Sequence, residues 1–558
     1  MQNNIIKEVE KELRTGLKGA LSKALEGKKV NEDKLPEVEL EVPRDKEHGD
    51  YASNIAMVMA SKFNLSPREV AELILDNFSS NLVEKAEVAG PGFINFKLNN
   101  NWLYENLKRI KEMKKEYGKV NYGEGEKVQI EFVSANPTGP LHLGHSRGAV
   151  VGDVVGSIME KAGYDVDREY YINDAGNQME ILGKSTLIRY KQACGEDVDL
   201  PENAYVGDYI KDIAREIKNE MGEDLLSWSE SKQLDYCQEF AYEKMLENIK
   251  DDLNEFGIEF DVWFSERTLH ENNEIEESVR VLRDRGYIYD KEGAVWFKSK
   301  EFGDDKDRVV IKSDGNPTYL AADIAYHLNK LERGYDTLIN VWGADHHGYI
   351  DRVRAVIEAF GYPGETLEII IVQFVSLLRG GEKVPMSKRA GEFVTMRDII
   401  DEVGKDAARY FYIMRSSDSH LDFDLELAKE ESSDNPVYYI QYAHARIQSI
   451  LENIDIEEEA GELTPDLSLL TEEAEIDLMK HLAYFPRTIQ MSAERREPHH
   501  LANYAYDLAN YFHVFYNKCR VINDDRDLSR ARLYLVMAAR QVLRNSLEIM
   551  GISAPDQM

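Results

Sequence analysis

Cysteine is scarce, long apolar runs are absent and positive charge is in short supply. Cys194, Cys237 and Cys519 are the only 3 cysteines in 558 residues. They are too scattered for a disulfide framework or a zinc site, so structural thiols are expected. No apolar run approaches the roughly 20 residues that would span a bilayer. The opening segment, MQNNIIKEVEKELRTGL, reads as an amphipathic helix without the hydrophobic block of a signal peptide. A cytoplasmic protein without membrane contact is expected. Lys and Arg number 68 against 103 Asp and Glu, a net charge of −35. Such a sum gives no general attraction for a polyanion, although phosphate contacts depend on local cationic clusters rather than on the total. An acidic surface adapted to a salty cytoplasm and an ordinary solvated acidic surface both remain open.

What is present is a 43% apolar sequence, globular in composition and too long for one core, so three or more domains are expected. The most informative stretch is Ser134–His145, SANPTGPLHLGH. Before it, Lys127–Val133 (KVQIEFV) alternates apolar and polar residues as a strand does. After it, Ser146–Ala162 reads as a helix with Gly148, Gly152 and Gly156 four apart. A strand-to-helix loop of this kind places backbone N–H groups at the carboxyl edge of a parallel sheet, where they can hold a polyanion. His142 and His145 share a helical face if the first turn begins near Leu141. Gly144 leaves no side chain on the surface where a planar base could lie.

HLGH resembles the HIGH signature of class I aminoacyl-tRNA synthetases, and SANPTGPLHLGH resembles its form in arginyl-tRNA synthetases. The resemblance runs through HGDYASNIA, GPGFINF, YINDAGNQ, DGNPTYLAADIAYH, WGADHHGYIDR, MSKRAGEFVT, YYIQYAHARI and FYNKCRV, in family order along nearly the whole chain. It implies an arginine–tRNA ligase with L-arginine, ATP and tRNA(Arg) as partners, acting as a monomer. Mg²⁺ would be associated with ATP. Two rivals are another class I synthetase lacking the paired acids, and a silent RNA-binding paralogue that has lost an imidazole or the loop lysine.

The resemblance also implies roles for individual residues. His142 and His145 would donate hydrogen bonds to the triphosphate, and Lys388 would be the mobile cation that meets departing pyrophosphate. Pro137, Thr138, Gly139, Gly144, Gly343, Asp345, Met386 and Ser387 would complete the ATP site. The loop departs from KMSKS, since Pro385 stands at the first lysine position and Arg389 at the last serine. Glu131, Ser134, Asn136, Tyr319, Asp323 and His346 would form the arginine pocket. A planar, permanently charged guanidinium is best matched by carboxylates in bidentate geometry, which makes Glu131 and Asp323 the expected pair. His346 and His347 are adjacent with no third ligand suggested, so no metal site is expected.

The alternation of strands and helices argues for an α/β, doubly wound parallel, Rossmann-like catalytic domain at 119–434. A mostly helical insertion at about 178–264 would divide its halves, the second half being supplied by Arg308–Lys312, Thr337–Trp342 and Glu368–Phe374. Residues 1–118 resemble the α+β N-terminal domain with which the family grips the tRNA elbow, Phe93 and Asn95 being candidate contacts. Residues 435–558 resemble the all-α anticodon-binding bundle, with Pro436 in the first turn of a helix that carries Tyr442 and Arg446.

Overall fold

The computed structural model describes residues 4–25, 35–384, 394–452 and 465–558. Within the expected nucleotide domain, five parallel strands are described: β4 (Lys127–Glu131), β5 (Asp165–Ile172), β6 (Val262–Ser265), β10 (Thr337–Gly343) and β11 (Leu367–Val372), in the spatial order β11-β10-β4-β5-β6. The chain leaves β4 toward β5 and later returns on its other side at β10. The carboxyl end of β4 is therefore the point where strand order reverses, the place where such sheets bind ligands. The Ser134–His145 loop starts there.

The remaining strands lie outside this sheet. β1 (Tyr51–Ser53), β2 (Val83–Ala89) and β3 (Phe93–Leu98) form an antiparallel sheet in the N-terminal region. β7 (Ile288–Lys291), β8 (Ala294–Phe297) and β9 (Arg308–Ile311) form another, and β12 (Val375–Arg379), β13 (Glu382–Lys383) and β14 (Leu421–Asp424) a third. Among the described residues past Asn435 the chain is helical. Pro436 opens the helix Pro436–Glu452, as its missing N–H favours, and three more helices span Glu473–Arg495, His499–Lys518 and Arg526–Ile549.

Three expectations from the sequence are corrected. The run expected at Arg308–Lys312 forms the strand Arg308–Ile311, but it pairs antiparallel with β8 rather than joining the parallel sheet. The insertion ends before Phe264, because β6 is the outer parallel strand beside β5; the helices Asn177–Ala193, Asp208–Met221 and Glu230–Glu255 make up its bulk. The strand around Lys127–Val133 stops at Glu131, since Val133 and Ser134 have φ of +66° and +42°. A β-branched residue in that region carries roughly 1–3 kcal/mol of strain, which clusters at functional sites. The polar positions of β4 do not mark a wet face either. Val128, Gln129, Ile130 and Glu131 are all buried, as expected when helices cover both faces of a parallel sheet.

The N-terminal region is tied to the C-terminal helices by specific bonds. The Tyr117 hydroxyl donates to the Leu482 carbonyl at 2.9 Å, and Lys46 Nζ lies 2.7 Å from Asp477. Asp153 and Arg409 form a buried ion pair that also reaches the Met550 carbonyl. This pair fixes the helix Leu143–Lys161 to the end of the chain. Among the described residues no helix is long and apolar enough to cross a membrane.

Candidate active site

Two sites are built at the carboxyl edge of β4. The first is a cradle. The helix after the loop begins at Leu143, not near Leu141, so His142 is its N-cap rather than a residue of its face. His142 Nδ1 accepts the Gly144 N–H at 3.0 Å, and His145 Nδ1 accepts the His142 N–H at 3.3 Å. The reciprocal pair satisfies donors that a helix start leaves orphaned, a contribution of about 1 kcal/mol. It also holds the rings stacked at 3.8 Å between centroids. With each Nδ1 accepting, the neutral rings carry their proton on Nε2. Burial pushes both imidazoles below the usual histidine range, His145 to about 3 with His142 adding to the effect. The cradle therefore offers neutral donors near pH 7.

Gly144 is required for a reason the sequence did not suggest. A Cβ there would stand 2.8 Å from His142 Cε1, so the glycine makes room for the imidazole rather than for a base. A cavity of about 670 Å³ opens over Asn136, Thr138, Gly139, His142 and His145. Its far wall comes from the insertion: Tyr209 donates its hydroxyl to the Thr138 carbonyl at 2.8 Å, and Gln178 accepts from Asn136 Nδ2 at 2.6 Å. Pro137 is buried at the base of the loop. Thr395 also lines the cavity, and its neighbours clamp the loop: the Leu143 N–H donates to the Val394 carbonyl and the Met396 N–H to the Leu141 carbonyl. The described residues on either side of 385–393 are thus fixed, Lys383 in the β12–β13 hairpin and Val394 against the histidine motif. Gly380 and Gly381, at φ of +59° and +80°, make the hairpin turn. Met386, Ser387 and Lys388 lie outside the described residues.

The second site is a cup of acids. Glu131 on β4 stands in register with Glu169 on β5 and Asn340 on β10, so the three side chains emerge on one face. The helix Tyr319–Glu332 covers that face and presents Asp323, Tyr326, His327 and Lys330 at spacings of three and four. Asp323 accepts the Tyr349 hydroxyl at 2.5 Å. Burial, reinforced by the charges of Glu131 and Glu266, pushes its carboxyl up to about 7. Glu266, at the carboxyl end of β6, is buried, accepts the Tyr171 hydroxyl at 2.9 Å and is raised by burial. Glu131, expected from the sequence in the arginine pocket, already has two protein partners. Its Oε2 lies 2.6 Å from Lys330 Nζ, and its Oε1 accepts the Ser134 hydroxyl at 3.0 Å.

The structure therefore brings Glu131, Ser134 and Asp323 together, and sets Asn136 in the cradle beside them. Tyr319 stands on the rim, 70% exposed. With Glu266 and His270 it lines a cavity of about 750 Å³. Gly343 ends β10 in the same sheet, and Asp345 and His346 follow it, both exposed. Their side chains lie 3.7 Å apart. Far from both sites, Tyr442, Arg446 and Tyr516 line a cavity of about 1060 Å³ in the helical region, with Arg446 4.4 Å above the Tyr516 ring. On β3, Asn95 is buried and Phe93 half-buried, so that strand offers no open aromatic and amide face. Sequence reasoning missed Glu266, Lys330, Tyr349, Tyr171, Tyr209 and Gln178. The one available signal was Lys330, seven residues after Asp323 and hence two turns along the same face.

Comparison with known proteins places the chain. Three family models match it: "Arginyl tRNA synthetase N terminal domain" over residues 11–98, "tRNA synthetases class I (R), catalytic domain" over 106–428, and "DALR anticodon binding domain" over 440–558. An arginine–tRNA ligase of Geobacillus thermodenitrificans is 50% identical over 100% of both chains. One from Desulforamulus reducens is 48% identical over 99% of this chain and 100% of its own. The solved arginyl-tRNA synthetase of Thermus thermophilus superposes with a TM-score of 0.73 at 22% identity, covering 98% of this chain and 100% of that one, a likeness of fold.

Proposed function

This chain belongs to the arginyl-tRNA synthetase family, and from that premise we infer an arginine–tRNA ligase whose two half-reactions run between the acidic cup and the imidazole cradle. A carboxylate oxygen of arginine attacks the α-phosphorus of ATP, giving arginyl-adenylate and releasing pyrophosphate. A ribose hydroxyl at the 3′ end of tRNA(Arg) then attacks the arginyl carbonyl, and AMP leaves. Such chemistry depends on positioning and charge stabilisation more than on covalent help. The observation that carries the reading is the juxtaposition, at one reversal point of a parallel sheet, of buried acids raised in pKa and a pair of neutral N–H donors.

In this reading His142 and His145 donate hydrogen bonds from Nε2–H to phosphate oxygens as pyrophosphate departs, and Lys388 supplies positive charge. Thr138, Gly139 and Gly144 let the phosphates approach the backbone, with Gly343 and Asp345 on the ribose side. Asp323 and Glu266 hold the guanidinium, Tyr319 closes over it, and Glu131, Ser134, Asn136 and His346 orient the amino acid. Asp208 is the one carboxylate among the described residues of the cradle, a donor set that fits Mg²⁺ carried on the ATP phosphates. Residues 1–118 bind the tRNA elbow, and 435–558 read the anticodon with Tyr442 and Arg446. The chain works as a cytoplasmic monomer. ATP–pyrophosphate exchange with each of the twenty amino acids, in the presence of total tRNA, tests the assignment. Exchange with arginine alone is expected; exchange with lysine or glutamate and none with arginine overturns it.

A further inference from the structure

The cup contains more negative groups than one guanidinium requires, and it contains a cation of its own. Lys330 is fully buried. Its ammonium lies 2.6 Å from Glu131 Oε2 and 3.0 Å from Asn340 Oδ1, and 4.3 Å from the Tyr326 ring centre. The Asn340 amide nitrogen in turn lies 3.3 Å from His327 Nε2, and His327 Nδ1 lies 2.8 Å from the Asp323 carbonyl. One buried ammonium thereby joins the strand that carries Glu131 to the turn that carries Asp323. An apolar replacement of similar volume is often as stable as a buried ion pair, so the presence of this one beside a charged-ligand site points to another role.

We propose that Lys330 is a positioning residue for amino-acid recognition, an internal counter-ion that cancels and aims Glu131 so that Asp323 and Glu266 face the arginine side chain with the charge it needs. This rests on the ligase reading above. With Glu131, Asp323 and Glu266 ionised against one ammonium, the cup carries two net negative charges, and arginine brings two positive groups, its guanidinium and its α-amine. Without Lys330 a third negative charge would be uncompensated, and Asp323 would hold its proton to higher pH. The groups facing Asp323 are Glu131 from β4, Tyr171 from β5, Glu266 from the helix Glu266–Glu271, Tyr349 with Arg352 behind it, and Lys330 and His327 on its own helix. Glu169 is already matched by a bidentate Arg333 at 2.6 and 2.9 Å, so it takes no part in this balance.

The test follows the acidic limb of kcat/KM for arginine in ATP–pyrophosphate exchange with tRNA present, in wild type, Lys330→Met, Glu131→Gln and the double variant. Lys330→Met should move the limb toward alkaline pH by about one unit, a tenfold loss at a fixed acidic pH, with KM for ATP within twofold of wild type. Glu131→Gln leaves the ammonium uncompensated and should move the limb the opposite way. The double variant should return it near the wild-type position. A folded Lys330→Met with normal ATP affinity and an unmoved limb overturns the proposal; if that variant does not fold, an unmoved limb in Glu131→Gln does so. Failure of the ligase reading looks different, since wild type would then show no arginine-dependent exchange at any pH.

Discussion

The cup and the cradle share one sheet edge and handle charge by opposite means. In the proposed reaction the cup meets a cation with fixed, buried acids whose mutual repulsion and desolvation are offset by a proton on Asp323 and an ammonium at Lys330. The cradle faces an anion, yet no Lys or Arg stands among the described residues that line it. Its donors are two imidazoles held neutral by burial. A permanent cation against the triphosphate would bind ground state and transition state alike, whereas neutral donors can favour the transition state. In the proposed reaction, recognition of the amino acid is thus built into the core, and Lys388 adds the positive charge for catalysis.

The largest effect should come from the cradle. His145→Ala removes a transition-state donor and should lower kcat for pyrophosphate exchange by about 10²- to 10³-fold, with KM for arginine unchanged. A parallel rise in KM for arginine would erase the division between the two sites. Asp323→Asn should weaken arginine binding by about 3 kcal/mol, on the order of 100-fold, because a guanidinium would face an uncharged partner. Calorimetry with arginine reads this directly, with ATP affinity as the control.

The same variant makes a stability prediction of definite sign. The folded pKa of about 7 lies above that of the unfolded chain, near 4. Between about pH 4 and 7 the folded state therefore binds the extra proton, and stability falls as pH rises through that window. Asp323→Asn should melt above wild type at pH 8, and the gap should close toward pH 4; a variant less stable at every pH contradicts the burial of that charge. The smallest change is Gly144→Ala. It displaces the His142 ring that its Cβ would strike and should lower kcat about tenfold, with the arginine affinity intact.

Much of this architecture was legible in the residues. The strand, the proline-punctuated loop and the small-faced helix around SANPTGPLHLGH located the switch point, and Pro436 marked the opening of its helix. Two kinds of feature were not legible. Register across a parallel sheet pairs residues far apart in sequence, so nothing local announced that Glu131 would meet Lys330, 199 positions away. Burial was not legible where both faces of the sheet are covered, as for Gln129 and Glu131, since polar alternation does not announce it. The insertion hid its part for a related reason: Tyr209 and Gln178 reach the cradle through tertiary folding alone. The N-cap role of His142 escaped because imidazole is an unusual cap beside the residues that normally fill that position.

Proton linkage is the most direct test of a cup whose charge is balanced before the substrate enters. Arginine titrated into the protein near pH 7, in buffers of different ionisation enthalpy, should release a substantial fraction of one proton as Asp323 ionises against the guanidinium. Affinity should rise with pH up to about 7.5 and then level. Arginine binding with no proton exchanged between pH 6 and 8, and with affinity flat across that range, would contradict the account.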